Sequence, residues 1–328
     1  MRLISFGKIN IQFLIPILGG LIRLISRLIL STNSKYEILE KNPFLFSIYT
    51  AIGMILAFIP YLIIKYRSKK SIIYSNDLSI KSKVNVELVY NDIFQQTYIQ
   101  TRFNKYKLIV LASILDFIET LIVTIFSMNC SYNLWIFDIL FMSIFSYYLL
   151  KTKLYKHQYL SIIIIILLGL SLNVIEYFKI DEIENKLDFF EISMKLLGEI
   201  FLSLNMVIIK YNMEKNFCSP YEICIWEGLI GTILHIICLS IINELKLTIS
   251  DIKHPDNILE YINNYDGNDV FVCIMIIIVS CIYNIFMLLT CDYFSPCHII
   301  ILLIINQSYF YIKMKEDIIL NILGLFIL

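Results

Sequence analysis

The sequence predicts an all-α membrane protein of about ten transmembrane helices, arranged as two inverted five-helix repeats with the last helix truncated. Three observations carry this prediction. Long apolar runs recur from end to end, as in Ser161–Leu172 (SIIIIILLGLSL) and Phe271–Cys281, and they are greasier than a helix facing water requires. Hydrophobic residues make up 58% of the chain and the mean hydropathy is +0.74, which is what about ten spans of about 20 residues produce in a chain of this length. A faint repeat is also present. Ser131 begins a span that ends at Lys151 and Lys153, and Ser295 begins another that ends at Lys313 and Lys315, at an offset of 162–164 residues. Five spans are an odd number of crossings, so a second copy lies inverted in the membrane.

The apolar windows place the spans at 9–30, 44–64, 107–128, 132–150, 157–178, 189–210, 220–243, 270–291, 296–312 and 317–328. Together they form one polytopic domain over 1–328, with a first half at 1–178 and a second at 189–328. The first run follows Arg2 and Lys8 but continues past Arg23 and Arg27 to Leu30 with no small-residue cleavage site. It therefore reads as a retained span and not as a signal peptide. The third, fourth, sixth and seventh spans each enclose carboxylates, which is costly in hydrocarbon and makes them the chemically informative ones. The tenth, Asp317–Leu328, rises only about 18 Å at 1.5 Å per residue against a hydrocarbon core of about 30 Å.

Formal net charge is zero, yet the 27 lysines and arginines are unevenly distributed. Counting span-edge residues with the adjoining loop, ten spans put the N-terminus and the loops 65–106, 151–156 and 211–219 on one face, with sixteen basic residues, and the remaining loops on the other, with eight. The positive-inside rule places the first face in the cytosol. Residues 65–106 then form a long cytosolic loop, whose basic run Lys65–Lys70 anchors to anionic headgroups, and 244–269 form an acidic non-cytosolic loop. The sequence does not name the organelle; an endomembrane and the vacuolar membrane are candidates. The eight cysteines form no CxxC pair and mostly lie in or beside apolar runs, as packing residues do.

Ser219–Gly231 (SPYEICIWEGLIG), Gly19 through Arg27, Asn42-Pro43-Phe44, Asp116 with Thr120, and Asn205 in the sixth span together carry a family likeness. On these motifs the chain resembles the drug/metabolite transporter superfamily, nearest to solute carrier family 35, subfamily F, a nucleotide-sugar-transporter-like group. The resemblance implies two inverted five-helix halves, a central cavity between spans one to four and six to nine, and alternating access. Two departures leave the substrate class open. The fourth span reads SYNLWIFD from 131 to 138 where relatives carry Gln and Arg, and the ninth, 295–312, lacks the family's arginine.

The residues themselves point to a wet interior. A charge at mid-bilayer costs about 2.5–3.5 kcal/mol on insertion scales, so Asp116, Glu119, Asp138, Glu199 and Glu227 face a cavity or a partner. Asp116, Glu119 and Thr120 share one helix face at i, i+3 and i+4, the arrangement of a proton-coupling site; hydrogen bonds to a neighbouring helix are the structural alternative. Glu227, Gly231 and His235 form an i, i+4, i+8 stripe, and Gly228 and Gly231 permit close helix packing. Arg23 and Arg27 either snorkel to the headgroups or reach into a cavity, where Arg27 pairs a carboxylate or an anionic substrate group. Lys195 and Glu199 are spaced to pair, and Asn205 is a lining group or an interhelical bond. Away from the span edges, five acids, Asp116, Glu119, Asp138, Glu199 and Glu227, against three bases, Arg23, Arg27 and Lys195, fit a neutral or cationic solute, or proton exchange, better than a phosphate-rich one, which needs basic clamps.

The expected function is a secondary transporter moving a small organic solute by alternating access, with protons as a candidate coupling ion. A transport-inactive scaffold or regulator of the same fold is the alternative. Neither reading calls for a cofactor or metal, and His157, His235, His254 and His298 lack the spacing of an intramembrane enzyme's ligands. The expected partners are the small-molecule substrate and the lipid bilayer, with a homodimer as a candidate assembly and no nucleic acid.

Overall fold

The computed structural model describes residues 14–31, 43–66, 87–126, 134, 136–152, 159–160, 162–167, 169–171, 189–245, 267–299, 301–302 and 305, with a short pairing at 5–6 and 9–10. Apart from that pairing, Ser5–Phe6 antiparallel to Ile9–Asn10, the described residues are overwhelmingly helical. The main helices are α1 (Leu14–Ser31), α2 (Pro43–Ile55), α3 (Glu87–Phe126), α4 (Ile136–Phe145), α5 (Phe189–Asn216), α6 (Pro220–Leu245) and α7 (Gly267–Tyr293). Four helical stretches, Leu45–Tyr66, Phe190–Asn216, Pro220–Ile241 and Val270–Tyr293, are long and apolar enough to cross a membrane. Shorter apolar helices run over Phe137–Leu150 and Ile162–Ser171. The tenth expected span and nearly all of the acidic loop lie outside the described residues.

Where the packing puts polar and apolar groups explains why this is a membrane architecture. Asp138, Ser203, Asn205, Asn212, Glu227, His235, Ser280 and Thr290 are buried, while Ile233, Ile236, Ile237 and Ile241 along α6, and Phe271, Ile274 and Ile278 along α7, are exposed. Water would reverse that pattern; lipid tolerates the apolar exterior. On α1 the outward residues are Leu14, Ile17, Leu18, Leu21, Ile25, Leu28 and Ile29, so Arg23 and Arg27 occupy the opposite stripe. That stripe faces the bundle.

Local chemistry sets the breaks. Pro60 removes the donor that the Leu56 carbonyl would use and its ring crowds that carbonyl. Accordingly the chain tightens to three-residue bonds, Leu56 N to Gly53 O at 3.1 Å and Ala57 N to Met54 O at 3.1 Å, before the helix resumes over 58–66. A π-helical turn, Ser146–Leu150, ends at Lys151, whose φ of 55° stops it. Pro296, pre-set for a first helical position, follows extended Ser295 to open a single 3₁₀ turn, Pro296–His298.

Three expected boundaries are corrected. Residues 87–106, assigned to the long loop, are helical and continuous with the third span, which gives a 40-residue helix. A search for apolar windows passes over this polar helical extension because its side chains suit water, not lipid. Helix α1 begins at Leu14 and not at residue 9, because Ile9 and Asn10 pair with Phe6 and Ser5. The loop expected at 211–219 shrinks to the three residues after Asn216, since α5 continues through its polar end.

The helices pack in a chain of neighbours: α4 on α5, α5 on α3, α3 on α6, α6 on α2, α2 on α7, and α7 on α1. Helix α1 also meets the segment after α7, where Gly19 and Gly20 leave room for Leu302 and Ile305. Glycines set the closest crossings. A Cβ at Gly53 would stand 2.5 Å from the Ile277 carbonyl oxygen, and one at Gly228 would stand 2.7 Å from the Ala51 carbonyl oxygen and 2.8 Å from Met54 Cβ. Helix α2 is thereby held backbone-close to both α7 and α6.

Candidate functional site: a charged cavity within the bundle

Helices α1, α2, α3 and α6 enclose a cavity of about 400 Å³. Its lining comprises Arg23 and Arg27 from α1, a strip of α2 that includes Phe46, Ser47, Thr50 and Met54, Asp116, Glu119, Thr120 and Val123 from α3, and Glu227, Gly231 and His235 from α6. The i, i+3, i+4 spacing on α3 aims its two carboxylates and hydroxyl at one space, and the one-turn steps on α6 do the same for Glu227, Gly231 and His235. Arg23 lies over the Tyr283 ring of α7, 4.7 Å from its centroid. It is thus supported from behind by an aromatic face.

Hydrogen bonding fixes which groups offer what. Thr120 Oγ1 donates to Glu119 Oε2 at 3.3 Å, and Thr50 Oγ1 to the Phe46 carbonyl at 2.9 Å. His235 Nδ1 lies 2.7 Å from the Gly231 carbonyl oxygen, which only accepts, so Nδ1 carries the hydrogen and neutral His235 presents Nε2 as an acceptor. Phe117 and the imidazole meet edge to face, 5.0 Å between centroids and 84° between planes. Glu227 Oε1 and His235 Nε2 are buried and have no hydrogen-bond partner. Both residues line the cavity, from which a donor can reach them.

Eight of the residues singled out from sequence, Arg23, Arg27, Asp116, Glu119, Thr120, Glu227, Gly231 and His235, converge on this cavity. Three others are placed elsewhere. Asp138 is 1% exposed between α4 and α5, where Ser203 Oγ donates to both its Oδ1 and its backbone carbonyl at 3.2 Å. Glu199 is buried on α5, hydrogen-bonded to Asp138 and within electrostatic reach of Glu119, and Asn205 is buried on the same helix; neither lines the cavity. Of the two packing glycines, Gly228 makes the close approach to α2, whereas a Cβ at Gly231 would meet only Ala51 Cβ at 3.7 Å, an ordinary contact. Gly231 instead lines the cavity and supplies the carbonyl that orients His235. The hydroxyl strip Ser47 and Thr50 was not singled out by the sequence reading; its one-turn spacing after Asn42-Pro43-Phe44 was the available signal.

One end of the bundle is tied shut. Lys105 Nζ of α3 bonds Glu222 Oε2 of α6 at 2.6 Å, with both side chains largely enclosed. Asn212 Nδ2 of α5 donates to the Lys105 carbonyl at 3.3 Å, and Lys210 Nζ of α5 to the Asp292 carbonyl of α7 at 2.8 Å. Tyr106 and Trp226 meet edge to face at 5.7 Å. Above them an apolar cluster that includes Met54, Ile109, Ala112, Leu115, Met206, Ile209, Ile223 and Leu288 fills the space toward the cavity. From Lys105 to Asp116 the helix rises about 16 Å. The charged cavity is therefore far from this clasp.

No protein-family model matches the chain, and no curated protein matches it.

Proposed function

We propose that the chain is a secondary transporter of the drug/metabolite type, which moves a small organic solute by alternating access with protons as the coupling ion. The observation that carries the reading is the cavity itself: three carboxylates, two guanidiniums and an imidazole gathered inside a bundle whose exterior is apolar. Ionisable groups gathered around open space inside an apolar bundle are costly and a scaffold does not need them, which is why a transport-inactive scaffold fits less well. A volume of about 400 Å³ lies at the small end of the roughly 300–1,000 Å³ typical of small-molecule sites.

The helix pairings support the ten-span, two-repeat reading. Exchanging each span with the one five places on turns α3 on α5 into α7 on α1, and α2 on α7 into α6 on α3, while α2 on α6 maps onto itself. The pairing of α4 with α5 becomes that of α1 with the segment holding Leu302 and Ile305. The α1–α7 and α5–α3 crossings also each meet at a glycine, Gly19 beside Phe286 and Gly198 beside Val123. Such pseudo-twofold exchange is what inverted repeats produce, with the substrate site at their interface.

Uptake into proteoliposomes holding the purified full chain tests the function. Flux of at least one member of a broad metabolite panel, enhanced by a pH gradient, is the expected result. An absence of flux for every member, with and without the gradient, overturns the proposal.

The clasp then acts as the closed cytosolic gate. Burial pushes the Cys218 thiol, beside the clasp, up to about 12, so it is unreactive while the gate is shut. Lys105→Ala or Glu222→Ala is expected to raise labelling of Cys218 by a membrane-impermeant maleimide several-fold, read by mass spectrometry of its peptide. The charge-swapped K105E/E222K double variant restores protection. Equal labelling in all four proteins would remove the gate from the mechanism.

A further inference from the structure

We infer that Asp138 and Glu199 form a proton-holding pair outside the solute cavity, loaded from the cavity through Glu119. The inference rests on the transport reading and adds where the coupling proton is kept while a solute occupies the cavity. Its basis is a pair of acids that only a proton can join. Asp138 of α4 and Glu199 of α5 are 1% and 9% exposed, and their carboxyl groups are hydrogen-bonded to each other. Two carboxylates bring acceptors and no donor, so this bond exists only when a proton lies between them. Asp138 Oδ2 points to the same proton: it is buried and, among the described residues, no N–H or O–H group donates to it. Ser203 Oγ serves the other oxygen, donating to Oδ1 at 3.2 Å.

Packing joins the pair to the cavity. Helix α5 crosses α3 at Gly198, where a Cβ would stand 3.2 Å from Val123 Cγ2. Glu199 follows that glycine directly, and Val123 lies one helical turn beyond Glu119, with which it lines the cavity. Glu119 is within electrostatic reach of both Glu199 and Asp138. Lys195, one turn before Glu199, also acts on that carboxyl. The titratable groups of the other neighbouring elements are placed elsewhere. In the turn Pro296–His298, Cys297 Sγ meets Ser143 Oγ at 3.5 Å and His298 Nδ1 meets Ser295 Oγ at 2.8 Å. Tyr147 and Tyr148 of the π-helical turn are exposed, and α7 brings Cys291 against Met206 and Asp292 to the clasp. A proton shared by Asp138, Glu199 and Glu119 thus has two resting places. As it passes from the pair to Glu119, the O–H bond at the pair breaks and one forms on a Glu119 carboxylate oxygen. The three groups hold one proton before and after, so their summed charge does not change.

Infrared spectroscopy of the full chain in lipid vesicles reads the proton directly, through the carboxylic-acid C=O stretch. The parent is expected to show a band that Asp138→Asn and Glu199→Gln each remove, that weakens as pH rises and that shifts on transfer to heavy water. Ser203→Ala, which takes away only a donor, assigns the band by moving its frequency even where the other two variants fail to fold. Glu119→Gln is expected to slow the heavy-water shift about tenfold or more, because it removes the step between pair and cavity. In proteoliposomes, Asp138→Asn and Glu199→Gln are expected to lower uptake driven by a pH gradient about tenfold or more, and counterflow of the same panel solute far less. A band that ignores pH, an exchange rate that Glu119→Gln leaves unchanged, or gradient-driven uptake at the parental rate in both pair variants makes the pair structural, while the transport reading stands. If the parent moves no solute at all, both fall.

Discussion

Gly228→Val is expected to leave almost no folded protein, and Gly53→Val to do the same. At both positions the nearest atom that a new side chain would meet is a backbone carbonyl oxygen, and the others are backbone nitrogens or a Cβ that moves only with its backbone. The Gly228 Cβ would lie 2.7 Å from the Ala51 carbonyl oxygen and 2.9 Å from the Ile55 nitrogen, and the Gly53 Cβ 2.5 Å from the Ile277 carbonyl oxygen and 3.2 Å from the Cys281 nitrogen. A flexible side chain swings aside, but a helix backbone moves only by separating the two helices. Overpacking costs about 1–3 kcal/mol where side chains yield, and here the cost reaches or exceeds the top of that range. Separation also forfeits the close contact that drives helix association in lipid, where no hydrophobic effect holds helices together. Monodisperse yield and thermal unfolding of the detergent-purified protein check this. Gly231→Ala is the control: its Cβ meets Ala51 at 3.7 Å, so yield stays near that of the parent.

Glu227→Gln is expected to abolish uptake driven by a pH gradient and to weaken solute binding about tenfold to a hundredfold. The substitution preserves shape, so folding is unaffected and the loss reports chemistry. Glutamine cannot carry a proton through a transport cycle, and it replaces a charge-assisted hydrogen bond worth about 1.5–3 kcal/mol with a neutral one. Gradient-driven uptake and thermal-shift titration on the same preparation separate the two effects. Retention of gradient-driven uptake would place the coupling proton elsewhere, with Asp116 and Glu119, on the same cavity, next to be tested.

Part of the site was legible in advance because it depends on one helix at a time. The spacing of Asp116, Glu119 and Thr120 put them on a common face, and the price of a carboxylate in hydrocarbon directed that face inward. The stripe Glu227, Gly231 and His235 was readable on the same grounds. Asp138, Glu199 and Asn205 obeyed the same rule and face inward too, yet they lie between α4 and α5 or within α5 and not on the cavity. An inward-facing polar residue has several interiors to choose from, and sequence spacing does not say which.

The amino-acid sequence by itself determined the solvent: its apolar runs call for lipid and its scattered acids for a protected interior, because both are transfer free energies fixed residue by residue. Helix starts, the Pro60 break and the shared faces follow from the same local rules. Only the tertiary structure decided which faces meet. It brought the α1 arginines opposite the α3 and α6 acceptors and joined Lys105 to Glu222 across 117 positions of chain. It also made Gly53 and Gly228 indispensable while leaving Gly231 free to vary. These are consequences of backbone proximity between distant segments, and no local periodicity encodes a distance between two helices.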